Sequence, residues 1–351
     1  MMKVLHSADW HLGAPLGRDS GQLRQELDAI PGRIAALVRR QGCDLVLLSG
    51  DLFDGHPSRE TLVIFKDALA EMAVPVCIAP GNHDFVTAAS VWNTEVFPEN
   101  THIFTCPRLE SVVFPELDCR VYGAGYDSMD CPPLLRDFQA EGTERYVLGV
   151  LHADPQVRNS PYCPITAEQV RESGLDYLGL GHIHKAGSFR AGATLCAWPG
   201  CPMGRGFDEC GQKGALLVTL TDGADIQFIP LDGPQFHDMT ISVETDPAAA
   251  LWSALPPAAL RDYYRITLTG ECLAVDIAAL ERQFSQYDHL ELIDKTTPPV
   301  DLWAAVGADT LEGIYFQMLR DMLEDTQQPD RIRLAAKLSR QILDGQEVVL
   351  P

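Results

Sequence analysis

The sequence predicts an α/β protein built as a two-sheet sandwich flanked by helices, followed by a small α+β cap domain and C-terminal helices. Short apolar runs without helical period, such as residues 44–48, indicate buried strands of a parallel sheet. Segments with helical spacing alternate with these runs in the first 84 residues, which is typical of a sheet covered by helices. The middle of the chain is rich in strands. A two-sheet sandwich explains this more naturally than one doubly wound sheet, although periodicity alone does not separate the two.

The composition sets bounds on the class of protein. The 351 residues suffice for one large domain and a smaller one, and 46% hydrophobic with 22% charged residues is typical of globular proteins. The net charge of −22 argues against a simple nucleic-acid binder, because such proteins usually carry a basic surface. Two divalent cations would offset four of these charges.

Targeting and cysteine signals favour a cytoplasmic protein. No apolar run approaches the roughly 18 residues of a membrane span, and the N-terminus enters a strand directly, without the pattern of a signal peptide. The ten cysteines are scattered and include no Cys-x-x-Cys pair, so we expect free thiols rather than disulfides.

The first elements along the chain form a strand-helix-strand unit, and a second helix and a third strand follow in the same order. Strands are expected at residues 3–6, 44–48 and 74–78, and helices at 20–40 and 59–73. Arg39 and Arg40 in the last turn and Gly42 after it indicate the end of the first helix. Further strands are expected at residues 102–105, 112–114, 120–122, 146–151, 177–180, 188–190, 195–197, 215–220 and 226–229.

Five of these strands end in polar residues that suit metal binding. The motifs are Asp9-x-His11, Gly50-Asp51-x-x-Asp54, Gly81-Asn82-His83-Asp84, His152 and Gly181-His182-x-His184. The carboxyl ends of parallel strands are where α/β proteins build their sites, and carboxylate with imidazole suits a first-row divalent metal. Each motif also has an ordinary explanation: a loop after a strand, a turn asparagine, a core histidine or a loop pair. The ordinary explanations would have to coincide five times, each time at a strand end, which independent chance does not explain.

These five motifs, in this order, resemble the calcineurin-like metallophosphoesterases. More narrowly, residues 5–13 and 50–54 look like the SbcD/Mre11-type branch of DNA-repair exonucleases. Residues 198–214 resemble a bacterial subgroup of that branch, the YhaO-like proteins. The resemblance covers roughly residues 3–215 and implies a dinuclear-metal phosphoesterase.

The resemblance also implies which residues hold the metals. One metal would take Asp9, His11, Asp51 and His184, and the other would take Asp51, Asn82, His152 and His182. Two close cations need a shared anionic ligand, for which Asp51 is the natural candidate. Mixed nitrogen and oxygen ligands suit Mn²⁺, Fe²⁺ or Zn²⁺ better than Mg²⁺ or Ca²⁺, and the branch implies Mn²⁺.

Four further residues are expected around the metals. His83 adjoins the ligand Asn82 without a metal of its own, so we expect it to face the phosphate and to stabilise or protonate the leaving oxygen. Asp84, grouped with His83 as a catalytic candidate, and Asp54 are expected to orient an imidazole or to hold a loop. Arg205 is expected to contact the substrate phosphate.

The chain changes character near residue 232, so we expect a metallophosphoesterase domain over 1–232, a cap domain over 233–297, and a linker with two helices over 298–351. In the cap, strands are expected at 238–243, 263–268 and 289–293 and helices at 246–255 and 275–284. In the resembled branch, a cap in this position shapes which DNA ends reach the metals. An accessory domain that only packs is the open alternative.

The two C-terminal helices carry apolar stripes at helical spacing. The stripes are Leu311, Ile314, Tyr315, Met318, Leu319 and Met322, and then Leu334, Ala335, Leu338 and Ile342. In the family, this region docks on the coiled-coil base of a Rad50/SbcC-like ATPase, while packing on the cap is the alternative. The expected partners are DNA, such an ATPase and a second copy of the chain. Binding to a membrane is not expected.

The sequence thus predicts hydrolysis of DNA phosphodiester bonds by an exo- or endonuclease subunit of an ATPase-linked repair complex. The alternative is a phosphoesterase for small diesters such as cyclic nucleotides or nucleotide conjugates, which the acidic charge and modest length favour. A third hypothesis, a non-enzymatic ATPase scaffold, would require a missing ligand, and none of the seven is missing.

Overall fold

The computed structural model describes residues 1–16, 21–256, 261–325 and 327–345, and the chain divides into two compact units. The first unit consists of Met1–Asp238 with Ala258–Arg265 and Gln286–Glu291, and the second unit contains the remainder.

Two six-stranded mixed sheets form the first unit. Its strands are β1 (Met2–Ser7), β2 (Leu45–Leu48), β3 (Val76–Ile78), β4 (Thr101–Ile103), β5 (Glu110–Phe114), β6 (Cys119–Gly123), β7 (Tyr146–His152), β8 (Tyr177–Gly181), β9 (Lys185–Ala191), β10 (Thr194–Gly200), β11 (Gly214–Leu220) and β12 (Ala224–Pro230). One sheet has the order β12-β11-β1-β2-β3-β4, in which β1 to β4 are parallel, and the other has the order β5-β6-β7-β8-β10-β9, in which β6, β7, β8 and β10 are parallel. The predicted two-sheet α/β sandwich is confirmed.

The alternation of side chains along the strands explains why the sheets stack. In β2, Leu45 and Leu47 join a core with residues of the second sheet such as Leu148, whereas Val46 and Leu48 join a different core with helical residues. Because successive side chains point to opposite faces, a fully apolar strand buries both faces of its sheet. The apolar run that predicts a parallel strand therefore also predicts layers on both sides of it.

The described residues of this unit contain five α-helices: α1 (Gly21–Asp28), α2 (Ile30–Gln41), α3 (Arg59–Met72), α4 (Val91–Thr94) and α5 (Ala167–Glu172). The prediction of one continuous helix over residues 20–40 is wrong in part, because the described segment breaks at Ala29. Pro31 lies in the first turn of α2, where its missing N–H costs nothing, whereas inside a longer helix its ring would clash with the preceding turn. The short helices α4 and α5 were not predicted.

The cap elements follow the sequence prediction closely. Strands β13 (Phe236–Val243), β14 (Tyr263–Gly270) and β15 (His289–Asp294) form a third sheet in that order, and each strand begins in the first unit and continues in the second. Helices α6 (Pro247–Ala254) and α7 (Ile277–Gln283) start after Asp246 and Asp276, whose carboxylates accept hydrogen bonds from first-turn amides.

The two C-terminal helices are α8 (Leu311–Asp325) and α9 (Pro329–Leu343). Phe316 and Leu319 of α8 pack with Ala336 of α9 in a small buried cluster. Most of the predicted apolar stripes lie outside this cluster. The exposed fractions are 86% for Leu311, 55% for Ile314, 61% for Met318, 51% for Met322 and 63% for Ile342.

Two predictions about the whole chain can be compared with the structure. Over the residues described, none of the helices combines the length and the apolar character that crossing a membrane requires. All ten cysteines, each within the described part of the chain, are free, and eight of them are buried.

Candidate metal centre

Loops that follow five parallel strands meet at one edge of the first unit. The loops after β1, β2 and β3 of one sheet carry Asp9 and His11, then Asp51, then Asn82 and His83. In the other sheet, His152 is the last residue of β7, and His182 and His184 follow β8. The carboxyl ends of parallel strands lie at the same edge, which brings residues distant in sequence together.

Glycines let these loops approach one another closely. A Cβ at Gly81 would lie 2.3 Å from Asp51 Oδ1, and one at Gly181 would lie 1.9 Å from the carbonyl oxygen of Ser49. Real Cβ atoms do not approach other atoms so closely, so a side chain at either position would push a loop of the site away.

Four of the site residues hold a left-handed backbone. Asp9, His11, Asp51 and His182 have φ angles of 56°, 46°, 51° and 92°. This conformation is uncommon for residues other than glycine and clusters at functional sites, where the surrounding structure must hold it. Here the amide of Asp9 donates to the carbonyl of Gly50 at 3.0 Å, and that of His11 donates to the carbonyl of Asp51 at 2.9 Å.

One group of possible metal ligands consists of Asp9, His11 and His184, whose ligand atoms lie within 4.8 Å of one another. The Nε2 atoms of His11 and His184 are 3.2 Å apart. Asp9 and His11 are each 1% exposed, whereas the side chain of His184 is 31% exposed. One side of this group is therefore open.

A second group consists of Asp9, Asp51 and His152, again within 4.8 Å. His152 Nε2 lies 3.3 Å from Asp51 Oδ2 and 2.9 Å from Asn82 Oδ1. Asp9 belongs to both groups, and Asp51 also adjoins the first group, because His11 Nε2 lies 3.7 Å from the same Asp51 oxygen.

His182 lies beside these groups. Its amide donates to Asp9 Oδ1 at 2.9 Å, and its ring lies 5.2 Å from the His152 ring and 4.6 Å from the Tyr162 ring, measured between centroids. A third group of His11, Asp51 and His83 also meets the 4.8 Å limit, although His83 was not predicted as a ligand.

Two observations test whether this donor set fits metal ions. Asp9 Oδ2 is buried without a hydrogen-bond partner, and an unpaired buried polar atom costs free energy. Burial raises the pKa of Asp9. Burial also disfavours a charged His152 ring, yet the Asp51 carboxylate outweighs this and raises the pKa of His152 to about 9. Carboxylates that draw a proton onto a neighbouring buried imidazole would equally attract a cation. The residues therefore fit a centre for divalent cations.

His83 and Asp54 form a pair at the open side of the centre. The His83 side chain is 43% exposed, and its Nδ1 lies 2.7 Å from Asp54 Oδ1. The His83 amide donates to Asp51 Oδ1 at 2.9 Å. The neighbouring rings of His11 and His83 lower the pKa of Asp54 to about 2, so its carboxylate stays ionised.

Asp84 fixes the loops that carry the ligands. Its carboxylate is 6% exposed and accepts hydrogen bonds from the amides of Gly81, Leu52 and Phe53 at 2.7, 2.8 and 3.3 Å. These amides lie in the loops after β3 and β2. Burial, with the nearby charge of Asp51, raises the pKa of Asp84 to about 7.

Glu209 adjoins the centre and was not predicted from the sequence. It is 6% exposed, and its Oε1 lies 2.6 Å from His184 Nδ1. Arg205, which was expected to contact substrate phosphate, donates to Glu209 Oε1 at 2.7 Å. Glu209 belongs to the stretch that carries the resemblance, but no spacing rule links it to a histidine 25 residues earlier.

Comparisons with known proteins agree with this geometry. The calcineurin-like phosphoesterase family matches residues 2–186. The uncharacterized metallophosphoesterase YhaO of Bacillus subtilis is 31% identical over 248 residues, which cover 65% of this chain and 59% of that protein. The SbcD component of the nuclease SbcCD of the same organism is 23% identical over 265 residues, which cover 63% of this chain and 66% of that protein. The chain thus spans less than two thirds of either relative.

Among solved structures, a dimetal phosphatase from Danio rerio is similar, with a TM-score of 0.43 and 12% identity over 66% of this chain and 96% of that one. The family match extends over more than half of the residues and includes all five motifs up to His184. The chain belongs to the calcineurin-like phosphoesterase family of metal-dependent phosphoester hydrolases.

Proposed function

We propose that this protein hydrolyses DNA phosphodiester bonds with two divalent metal ions. The proposed metal is Mn²⁺, in preference to Fe²⁺ or Zn²⁺. The observation that carries the proposal is the meeting of Asp9, His11, Asp51, His152 and His184 in overlapping ligand groups at the carboxyl ends of four strands, β1, β2, β7 and β8. The choice of Mn²⁺ rests on the resemblance of residues 5–13 and 50–54 to the SbcD branch.

Under this proposal, one metal is held by Asp9, His11, Asp51 and His184, and the other by Asp51, Asn82, His152 and His182. When bound, two such cations neutralise phosphate charge and activate a water nucleophile. Asp51 would be the ligand shared by both metals, as the family resemblance implies, and its carboxylate adjoins both His11 and His152.

His83 is the proton donor to the leaving oxygen. Its Nδ1 is engaged by Asp54, which leaves Nε2 to meet the substrate at the exposed side of the centre. Asp54 orients that ring. Asp84 acts indirectly, since its carboxylate holds the loops that carry Asp51 and Asn82 through backbone amides.

Two features support DNA as the substrate. The SbcD relative is a subunit of the nuclease SbcCD. In addition, a groove next to His184 carries Lys185 and Lys213 together with acidic side chains. An open site with neighbouring ammonium groups suits a polymer that lies across the surface.

The second candidate is hydrolysis of small phosphodiesters such as cyclic nucleotides. It is favoured by the net charge of −22, because phosphates of a long polyanion are repelled more strongly than one small diester. The two candidates share the metal centre and differ in what reaches it.

The remaining parts of the chain are proposed to serve the nuclease. Residues 1–232 are the catalytic domain, and residues 233–297 are a cap that shapes which DNA ends reach the metals. Residues 298–351 dock on the coiled coil of an SbcC-like ATPase. The exposed apolar residues of α8 and α9, such as Met318 and Ile342, support this docking.

The test is Mn²⁺-dependent cleavage of end-labelled single- and double-stranded linear DNA, run beside bis-p-nitrophenyl phosphate. Asp51→Asn should lose cleavage of both substrates, because the proposed bridging charge is removed. Asp225→Asn, which changes an exposed aspartate of β12, is the matched control and should behave as the wild type. Cleavage of the small diester alone, with DNA left intact even when an SbcC-like ATPase is added, would favour the second candidate.

A further inference from the structure

We propose that Glu209 is a positioning residue whose buried carboxylate orients the His184 ring towards the metal centre, while Arg205 holds the carboxylate in place. The inference rests on the proposed function, in which His184 is a metal ligand. It concerns residues outside the motifs that carry the metal-ligand prediction.

The contact between Glu209 and His184 determines which ring nitrogen is free. A carboxylate at 2.6 Å accepts a hydrogen bond, so the proton of a neutral His184 ring lies on Nδ1. The lone pair is then on Nε2, which faces His11 Nε2 at 3.2 Å and belongs to the group with Asp9. Carboxylates that fix the tautomer and direction of a ligating imidazole in this way tune metal affinity.

Arg205 holds Glu209 by three hydrogen bonds. Its amide donates to Oε2 at 2.9 Å, its Nε donates to Oε2 at 3.3 Å, and its second guanidinium nitrogen donates to Oε1 at 2.7 Å. Glu209 is 6% exposed, so its charge requires a buried partner. The guanidinium provides that partner and leaves the carboxylate little freedom to turn away from His184.

The same carboxylate could instead be a metal ligand, because His184, Cys201 and Glu209 also form a group within 4.8 Å. Two observations argue against this alternative. The Arg205 guanidinium already supplies the positive charge at Glu209, and lies 3.4 Å from His184 Nδ1. The Cys201 thiol donates to the His184 carbonyl, so its hydrogen is already engaged by the backbone.

The expected consequence of losing Glu209 is weaker binding at one metal only. Partners of this kind typically change metal affinity by about 10–100-fold. The site that contains His184 should weaken by such a factor, whereas the site that contains His152 should keep its affinity.

The experiment is a calorimetric titration of the metal-free full-length protein with Mn²⁺, for wild type, Glu209→Ala and Glu209→Gln. Glu209→Ala should bind one Mn²⁺ as the wild type does and the second about 10–100-fold more weakly. Glu209→Gln, whose amide oxygen still accepts a hydrogen bond, should lie between the two. Asp208→Ala, which removes an exposed carboxylate next in sequence, is the matched control and should leave both affinities unchanged.

A double-variant cycle separates positioning from general support of the fold. If Glu209 acts through His184, adding Glu209→Ala to His184→Ala should cause no further loss of Mn²⁺ affinity. The electron paramagnetic resonance signal of two coupled Mn²⁺ ions should weaken in Glu209→Ala at Mn²⁺ concentrations that saturate the wild type.

Two outcomes would overturn the inference. In the first, Glu209→Ala binds both Mn²⁺ ions with wild-type affinity. In the second, Glu209→Ala lowers the Mn²⁺ affinity by the same factor in the wild type and in His184→Ala. A wild type that binds fewer than two Mn²⁺ ions would instead contradict the proposed function. Should Glu209→Ala fail to fold, as judged by circular dichroism, the comparison of Glu209→Gln with Asp208→Ala decides.

Discussion

His83 differs from His11 and His152 in its exposure and in its partner. Its side chain is 43% exposed and bonded to Asp54, whereas His11 and His152 are 1% exposed and face carboxylates of the proposed ligand set. A general acid must reach the substrate and exchange protons with solvent, and an exposed ring held by a carboxylate satisfies both needs. The buried rings are placed to bind metal instead.

Replacement of His83 tests this division. His83→Ala should keep both metals but lower the turnover of bis-p-nitrophenyl phosphate by about 10²–10⁴-fold, the usual contribution of a general acid. Elemental analysis of the purified variant and its kcat provide the two measurements. If purified His83→Ala is instead depleted of metal, His83 is a metal ligand. Its proximity to His11 and Asp51 would be consistent with that role.

At the scale of elements, the five strands that lead to the centre were predictable because each is a short apolar run that ends in a polar motif. The run before Asp51 predicts β2 within one residue, and the loop after it lies where a parallel strand would place it. The helix break at Ala29 was not foreseen, because the apolar spacing continues across it and only Pro31 signals it.

Glu209 could not be predicted from its own surroundings in the sequence. Its contact with His184 depends on how the loop after β10 folds back against the residues that follow β8. Local patterns report the period and the ends of elements, whereas a contact between two loops depends on tertiary packing. The donors at strand ends were predictable because sheet topology, rather than loop conformation, brings them together.

Because the loops after β2 and β3 approach each other closely, we expect a single added methyl group at Gly81 to disturb the centre. Gly81→Ala should displace Asp51, because the new Cβ would lie 2.3 Å from its Oδ1, and Mn²⁺ affinity and activity should both fall. Gly32→Ala in α2 is the matched control, since a Cβ there meets nothing within 4 Å. That change should preserve activity and stabilise the helix by up to about 1 kcal/mol.

Calorimetric Mn²⁺ titration and the thermal unfolding midpoint measure the two variants. Wild-type metal affinity in Gly81→Ala would show that the loops have room to separate without disturbing Asp51. The crowding argument for the centre would then fail.

At the scale of the whole molecule, charge and exposed apolar surface both bear on whether this chain binds DNA by itself or together with a partner. Twenty-seven basic residues against forty-nine acidic ones leave the net charge of −22, which suits a protein that does not hold duplex DNA tightly by itself. Leu311, Tyr315, Ile342 and Leu343, which α8 and α9 leave exposed, line one groove, and exposed apolar surface of this kind marks protein interaction sites. Under the docking proposal, a partner bound there supplies the basic DNA-binding surface that the composition of this chain does not predict.

The docking proposal can be tested without disturbing the metal centre. Met318 is 61% exposed on α8, so Met318→Glu should leave the fold and Mn²⁺-dependent hydrolysis of bis-p-nitrophenyl phosphate unchanged. A carboxylate placed in an apolar interface must be desolvated without a partner, so co-purification with an SbcC-like ATPase should fall at least about tenfold. Arg320→Glu, which adds a carboxylate at an exposed polar position of the same helix, is the matched control and should retain the ATPase. If Met318→Glu retains it equally well, this face of α8 is not the docking surface, and its apolar residues require another explanation.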